Sequence, residues 1–170
     1  MFIESGGQRG LDEHPNANIQ VGAAYMKTLI DALMNSPAWD SSVFILSYDE
    51  GGGQYDHVPP VPMPHPDGIA PLDLGPDDIP GDFDQSGFRV PLTIVSPWVK
   101  PHFVSHTARD YTSILKLIET RFGLAPLTMR DAGADDMTDF FDSVSHLRPA
   151  LPDQPTNGAC DFNLESAPGH

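Results

Sequence analysis

Apolar positions recur at helical spacing from Ile19 to Asn35, where Val21, Ala24, Tyr25, Thr28, Leu29, Ala32 and Leu33 fall on one face. Asn18 is placed to cap that helix, and Pro37 lies just beyond its end. The period then changes. Ser42-Val43-Phe44-Ile45-Leu46-Ser47-Tyr48 is a short apolar run rich in β-branched and aromatic residues, and it reads as a buried strand. Val90-Pro91-Leu92-Thr93-Ile94-Val95-Ser96, closed by Pro97, reads as a second. Helical spacing returns from Thr112 to Phe122, with Ile114, Leu115, Ile118 and Phe122 as its apolar face, Asp110 or Thr112 as cap and Gly123 as stop. A helix feeding a fully apolar strand predicts an α/β fold with a parallel sheet.

Between the two strands the pattern is lost. Residues 58–91 hold nine of the 18 prolines, four glycines and six aspartates, so neither a continuous helix nor a central strand fits. The segment is expected to be a long irregular loop, and loops of that length in a compact domain tend to be functional or disordered. After Leu127 the chain is acidic and irregular, with a short Phe140-Phe141 anchor, and residues 149–170 read as a Pro-rich tail.

Composition narrows the function classes. Lys and Arg total 9 against 24 Asp and Glu, a formal net charge of −15. With its basic residues scattered singly, the chain is not expected to bind nucleic acid or an anionic membrane. No apolar run approaches the roughly 20 residues that span a bilayer, so no integral membrane segment is expected. The start, Met1-Phe2-Ile3-Glu4, lacks the basic and apolar regions of a signal peptide. A single cysteine, Cys160, excludes an intrachain disulfide and a cysteine-based zinc site.

Candidate chemistry concentrates in Tyr48-Asp49-Glu50-Gly51-Gly52-Gly53-Gln54-Tyr55-Asp56-His57-Val58-Pro59-Pro60. Adjacent carboxylates follow a strand's carboxyl end, where α/β folds place ligand sites, and three glycines let the backbone turn tightly. Asp49 and Glu50 are good oxygen donors for half of a divalent-cation site; a solvated acidic turn is the other reading. His14 in Asp12-Glu13-His14-Pro15, His57, and His106 ahead of the second helix are the candidate acid/base groups. His106 and Arg109 at that helix start could also hold a phosphate, or belong to ordinary capping. Asp82-Phe83-Asp84-Gln85-Ser86-Gly87 has the start of an EF-hand loop, but its twelfth position is Thr93 and no helices flank it.

These segments, in this order, resemble the phosphoesterase family that includes bacterial phosphatidylcholine-preferring phospholipases C and a group of acid phosphatases. The matching stretches are Asp12–Pro15, Ala32–Trp39, Tyr48–Pro60, Gly87–Pro91, Ser96-Pro97-Trp98 and Asp110–Leu115 running on to Glu119. The resemblance implies an alkaline-phosphatase-like α/β/α sandwich and a metal-dependent hydrolase of phosphoric esters, phospholipid or phosphomonoester. It further implies that Asp49 and Glu50 bind a divalent metal ion and that His14 sits by the substrate phosphate, while His57 and His106 match motif positions. Oxygen ligands suit Ca²⁺, Mg²⁺ or Mn²⁺, and a histidine ligand would admit Zn²⁺ or Fe. By the same resemblance, residues 1–148 correspond to the C-terminal portion of such a domain. The Glu-Asn pair and the Ser/Thr nucleophile of the other half have no counterpart here, so the isolated chain is expected to be inactive. Relatives of this kind are often exported, which implies a secreted or periplasmic setting. The alternative is a non-catalytic acidic domain that binds a metal or a protein partner through the Asp-rich 67–84 loop.

Overall fold

The structure, a computed structural model, describes residues 1–5, 10–70, 72 and 74–145. The proposed tail and Cys160 lie outside the described residues. Helix α1 spans Ile19–Met34, and the Asn18 side chain accepts the Gln20 N–H as its N-cap. A single 3₁₀ turn, Trp39–Ser41, leads into β1, Phe44–Ser47. Strand β2 is Leu92–Val95, α2 is Thr112–Phe122, α3 is Met129–Ala132, and a second 3₁₀ turn covers Thr138–Phe140. Both long helices and both strands stand where hydrophobic periodicity puts them.

The sheet differs from expectation. β1 and β2 pair antiparallel, with Phe44 opposite Val95 and Ser47 opposite Leu92. A parallel pair needs a crossover, normally a helix, and the segment joining these strands has none among its described residues. What it has instead is a closed stem. An isolated antiparallel bridge joins Pro62 to Gln85, supported by Met63 N–H to Asp84 O at 2.7 Å and Ser86 N–H to Val61 O at 2.9 Å. The irregular loop is therefore a long arm that leaves and re-enters at one place, which returns the chain in the opposite direction. Mixed helix with a small antiparallel sheet is the architecture of the described residues.

Burial also departs from the periodicity reading. β1 is half-buried throughout, and the first two residues of β2 are exposed. On α1 Gly22 and Met34 are buried and Tyr25, Met26, Leu29, Ile30 and Leu33 half-buried, while Val21, Ala24, Thr28 and Ala32 are exposed. On α2 the buried positions are Ser113 and Glu119; Leu115, Ile118 and Phe122 remain exposed. Periodicity identifies residues that share a face, not what that face packs against. The best-buried apolar side chains are Met34, Trp39 and Met137. Trp98 is fixed beside the first 3₁₀ turn by its indole N–H donating to Asp40 O at 2.8 Å. The Phe140-Phe141 anchor is present: Phe140 meets Phe103 edge-on at 5.3 Å, and Phe141 bridges Val99.

Candidate active site

Three segments converge at the carboxyl end of β1: the turn before α1, the glycine-rich loop after β1, and the approach to α2. Together they line an open cleft of about 1570 Å³. His14, Asp49, Glu50 and His106 all face it, so the structure brings four of the five sequence candidates to one place. His57 is not among the residues lining the cleft. Its exposed ring follows Asp56, whose carboxylate takes Arg89 Nε at 2.8 Å and Nη2 at 2.7 Å, a two-pronged clasp from the loop to the far end of the long arm. The Arg89 hydrogen bonds hold the Asp56 carboxyl well below the usual carboxylate range.

His14 is oriented by its own neighbour. Its Nδ1 lies 2.6 Å from Asp12 Oδ2. A carboxylate can only accept, so Nδ1 carries the proton and, in the neutral ring, Nε2 is the bare nitrogen. Partial burial pushes the Asp12 carboxyl up, but the His14 hydrogen bond and backbone N–H groups outweigh it and hold Asp12 below its ordinary value. An Asp-oriented imidazole on a cleft wall is suited to general acid/base work.

Asp49 and Glu50 are exposed, at the start of a loop where Gly52 and Gly53 adopt positive φ of 57° and 75°. The backbone beneath them is held by Tyr111, whose hydroxyl lies 2.5 Å from Tyr48 O and 2.8 Å from Asp49 O. Burial, then the charges of Asp49 and Glu50, push the Tyr111 phenol above its ordinary value.

A divalent metal fits these residues only in part. Among the described residues, no group of three His, Cys, Asp or Glu side chains converges to hold a metal ion. Asp49 and Glu50 thus supply the right donor chemistry as a pair, not a complete ligand set, and no chemical step follows from them alone. The Asp-rich arm offers less. Asp67 Oδ1 and Asp78 Oδ2 are engaged by the backbone N–H groups of Ile69 and Gly75.

Sequence reasoning picked out Arg109 and Asp110 at the start of α2 but not the ion pairs they make. Arg109, its side chain 7% exposed, lines the cleft from below and binds Asp135 at 2.6 Å and Asp139 at 2.8 Å. It also donates to Ser105 and stacks 5.0 Å over the Phe140 ring. Arg130 pairs with Asp110 at 3.1 Å. The N-cap of α2 is Tyr111, without a side-chain cap, in place of the expected Asp110 or Thr112; Asp110 Oδ1, one residue outside it, accepts the Thr112 N–H at 2.9 Å. The partners Asp135, Asp139 and Arg130 carried no local signal beyond an acid-rich chain able to neutralise its few arginines.

The chain belongs to the Phosphoesterase family, whose pattern matches residues 2–125. It is similar to non-specific phospholipase C4 of Arabidopsis thaliana, 39% identical over 134 residues, which cover 72% of this chain and 24% of that protein. It is 36% identical over 152 residues to phospholipase C B of Mycobacterium tuberculosis, covering 84% of this chain and 29% of that protein. Hemolytic phospholipase C of Pseudomonas aeruginosa is 39% identical over 142 residues, 76% of this chain and 19% of that protein. The chain thus spans from about a fifth to under a third of the length of these relatives. Among the described residues, no helix is long and apolar enough to cross a membrane.

Proposed function

We propose that this chain contributes part of the active site of a hydrolase acting on phosphoric ester bonds, with a phospholipid or a phosphomonoester as substrate. The observation that carries this reading is the convergence of His14, His106, Asp49 and Glu50 on one cleft within the family-matched residues. His14, oriented by Asp12, is the acid/base group; it delivers a proton to the departing alkoxide or takes one from the attacking hydroxyl. Asp49 and Glu50 are two ligands of a divalent cation, and a bound cation would supply charge stabilisation at the phosphoryl oxygens. The nearby hydroxyls of Ser47, Ser86 and Ser105 donate to Tyr48 O, Gly87 O and Asp139, and none of these contacts is to a histidine. The reading therefore assigns an acid/base group and metal donors, and no nucleophile, to this cleft. It also takes the described α/β elements as part of an alkaline-phosphatase-like α/β/α sandwich.

Titration calorimetry of the chain with Mg²⁺, Mn²⁺ and Ca²⁺ tests the site, and the chain alone should turn over neither phosphatidylcholine vesicles nor p-nitrophenyl phosphate. Cation binding lost in both Asp49→Ala and Glu50→Ala supports the assignment, and robust p-nitrophenyl phosphate hydrolysis by the chain would overturn the absence of a nucleophile. Cation binding unaffected by either substitution but abolished by Asp82→Ala and Asp84→Ala would move the site to the acidic arm and overturn it.

A further inference from the structure

Glu13 is the least comfortable residue in the turn before α1. Its φ of 60° lies in the left-handed region, which a side chain with a Cβ adopts at a cost. Such strain persists only where the surroundings over-determine it. Two contacts do so here. The Tyr48 hydroxyl donates to Glu13 Oε2, linking residues 35 positions apart. The Glu13 side chain also lies flat across Gly22 of α1, where an added Cβ would sit 2.2 Å from its Cγ and 2.7 Å from its Cδ. Gly22 is fully enclosed in a helix interior, a place where glycine is unfavourable, so the notch it leaves is a second local cost spent on the same side chain.

The neighbours on either side of Glu13 are Asp12 and His14, the oriented pair of the cleft, and the residue after Tyr48 is Asp49. We propose that Glu13 is a positioning residue, a latch that seats the Asp12–His14 pair against the carboxyl end of β1 through Tyr48 and the Gly22 notch. The latch rests on the reading of His14 as the acid/base group, but its geometry does not depend on turnover. The His14 carbonyl is itself tied down, accepting the Ala17 N–H at 2.7 Å. Fixing Glu13 therefore fixes where the imidazole leaves the backbone.

The test reads the His14 ring by NMR in the full chain with nitrogen-15-labelled imidazoles, with the amide signals of α2 as an internal check on folding. The parent should show the His14 Nδ1–H tautomer. Glu13→Gly, which relieves the backbone strain but deletes the carboxylate, should lose that preference, and Tyr48→Phe should lose it to the same degree. Their double variant should be no worse than either, because both cut one contact. Glu13→Gln keeps an acceptor for the phenol and should restore the parent signature. Unchanged His14 signals in Glu13→Gly or in Tyr48→Phe, with α2 amides in place, would overturn the latch. If Glu13→Gly fails to fold, Tyr48→Phe and Glu13→Gln still decide it. Failure of the phosphoesterase reading would show instead as cation binding indifferent to Asp49, and would leave the His14 signature as it is.

Discussion

Alanine normally replaces glycine in a helix interior with a gain of about 1 kcal/mol. At Gly22 the opposite sign is expected. The new Cβ would meet Glu13 Cγ at 2.2 Å and Oε1 at 2.4 Å, distances no real Cβ tolerates. Because Glu13 has three rotatable bonds, it swings away and gives up the Tyr48 hydrogen bond. Losing a hydrogen bond to a charged group costs about 1.5–3 kcal/mol, so Gly22→Ala should destabilise by about 0.5–2 kcal/mol after the helix gain is deducted. In a Glu13→Gly background the notch is empty, and the same substitution should stabilise by about 1 kcal/mol. The assay is urea unfolding followed by far-UV circular dichroism on the four proteins of the cycle, with the reversal of sign as readout. A Gly22→Ala that stabilises the parent, or shifts both backgrounds equally, would refute the close packing of Glu13 on α1.

Three further outcomes follow from the same geometry. The Asp56 carboxyl is lowered by Arg89, so its stabilisation is present above the ordinary carboxylate value of about 4 and fades as pH falls below it. Urea midpoints between about pH 5 and about pH 3 should therefore fall less steeply in Asp56→Asn than in the parent, and parallel slopes would exclude the clasp. Glu119 runs the other way. The adjacent Asp131 carboxyl, then burial, raises it, so ionising it as pH climbs through about 4 costs stability. Glu119→Gln should raise the melting temperature at neutral pH, with the gain shrinking in acid; a loss at neutral pH would contradict this. Trp39 is 1% exposed, and Trp39→Ala should cost about 3–5 kcal/mol in chemical unfolding, against which a change below about 1 kcal/mol would deny it a core role.

What was legible in the residues was local. The Asn18 cap, the Gly123 stop at φ 66° and the limits of α2 follow from chemistry within a few positions, and all three are seen. The strand locations were equally plain, because period and β-branching need no partner to be read. Their pairing was not: the direction of β2 depends on how the 58–91 arm closes, and the Pro62–Gln85 bridge carries no pattern that announces it. The site follows the same division. Asp49 and Glu50 stood out because a carboxylate pair after an apolar strand is unusual in itself. His57 stood out equally, through its place in the same motif, yet the loop turns at Gly52 and Gly53 and directs Asp56 to Arg89 instead. Glu13, Tyr48 and Gly22 gave no signal, since their roles exist only once residues 13, 22 and 48 meet.

The charges of the cleft bear on how an ester could be received. Arg89, Arg109 and Arg130 all line it, and all are committed: to Asp56, to Asp135 with Asp139, and to Asp110. A phosphate would have to displace carboxylates to use Arg89 or Arg109, whose partners Asp135 and Asp139 are themselves exposed, while the buried Arg130 Nε meets Asp110 at 3.1 Å as an ion pair without a hydrogen bond. Asp49 and Glu50 have no such partner among the hydrogen bonds and ion pairs of their side chains seen here, and at about 4 Å in water each would oppose a unit negative charge by about 1 kcal/mol. A cation held by Asp49 and Glu50, as proposed, would offset that repulsion towards an anionic ester. The backbone beneath the two carboxylates is meanwhile anchored from both sides, by Tyr48 reaching Glu13 and by Tyr111 reaching the carbonyls of Tyr48 and Asp49. Two phenols spent on holding one strand end, beneath side chains left exposed, fit donors kept in place for a ligand better than they fit a solvated turn.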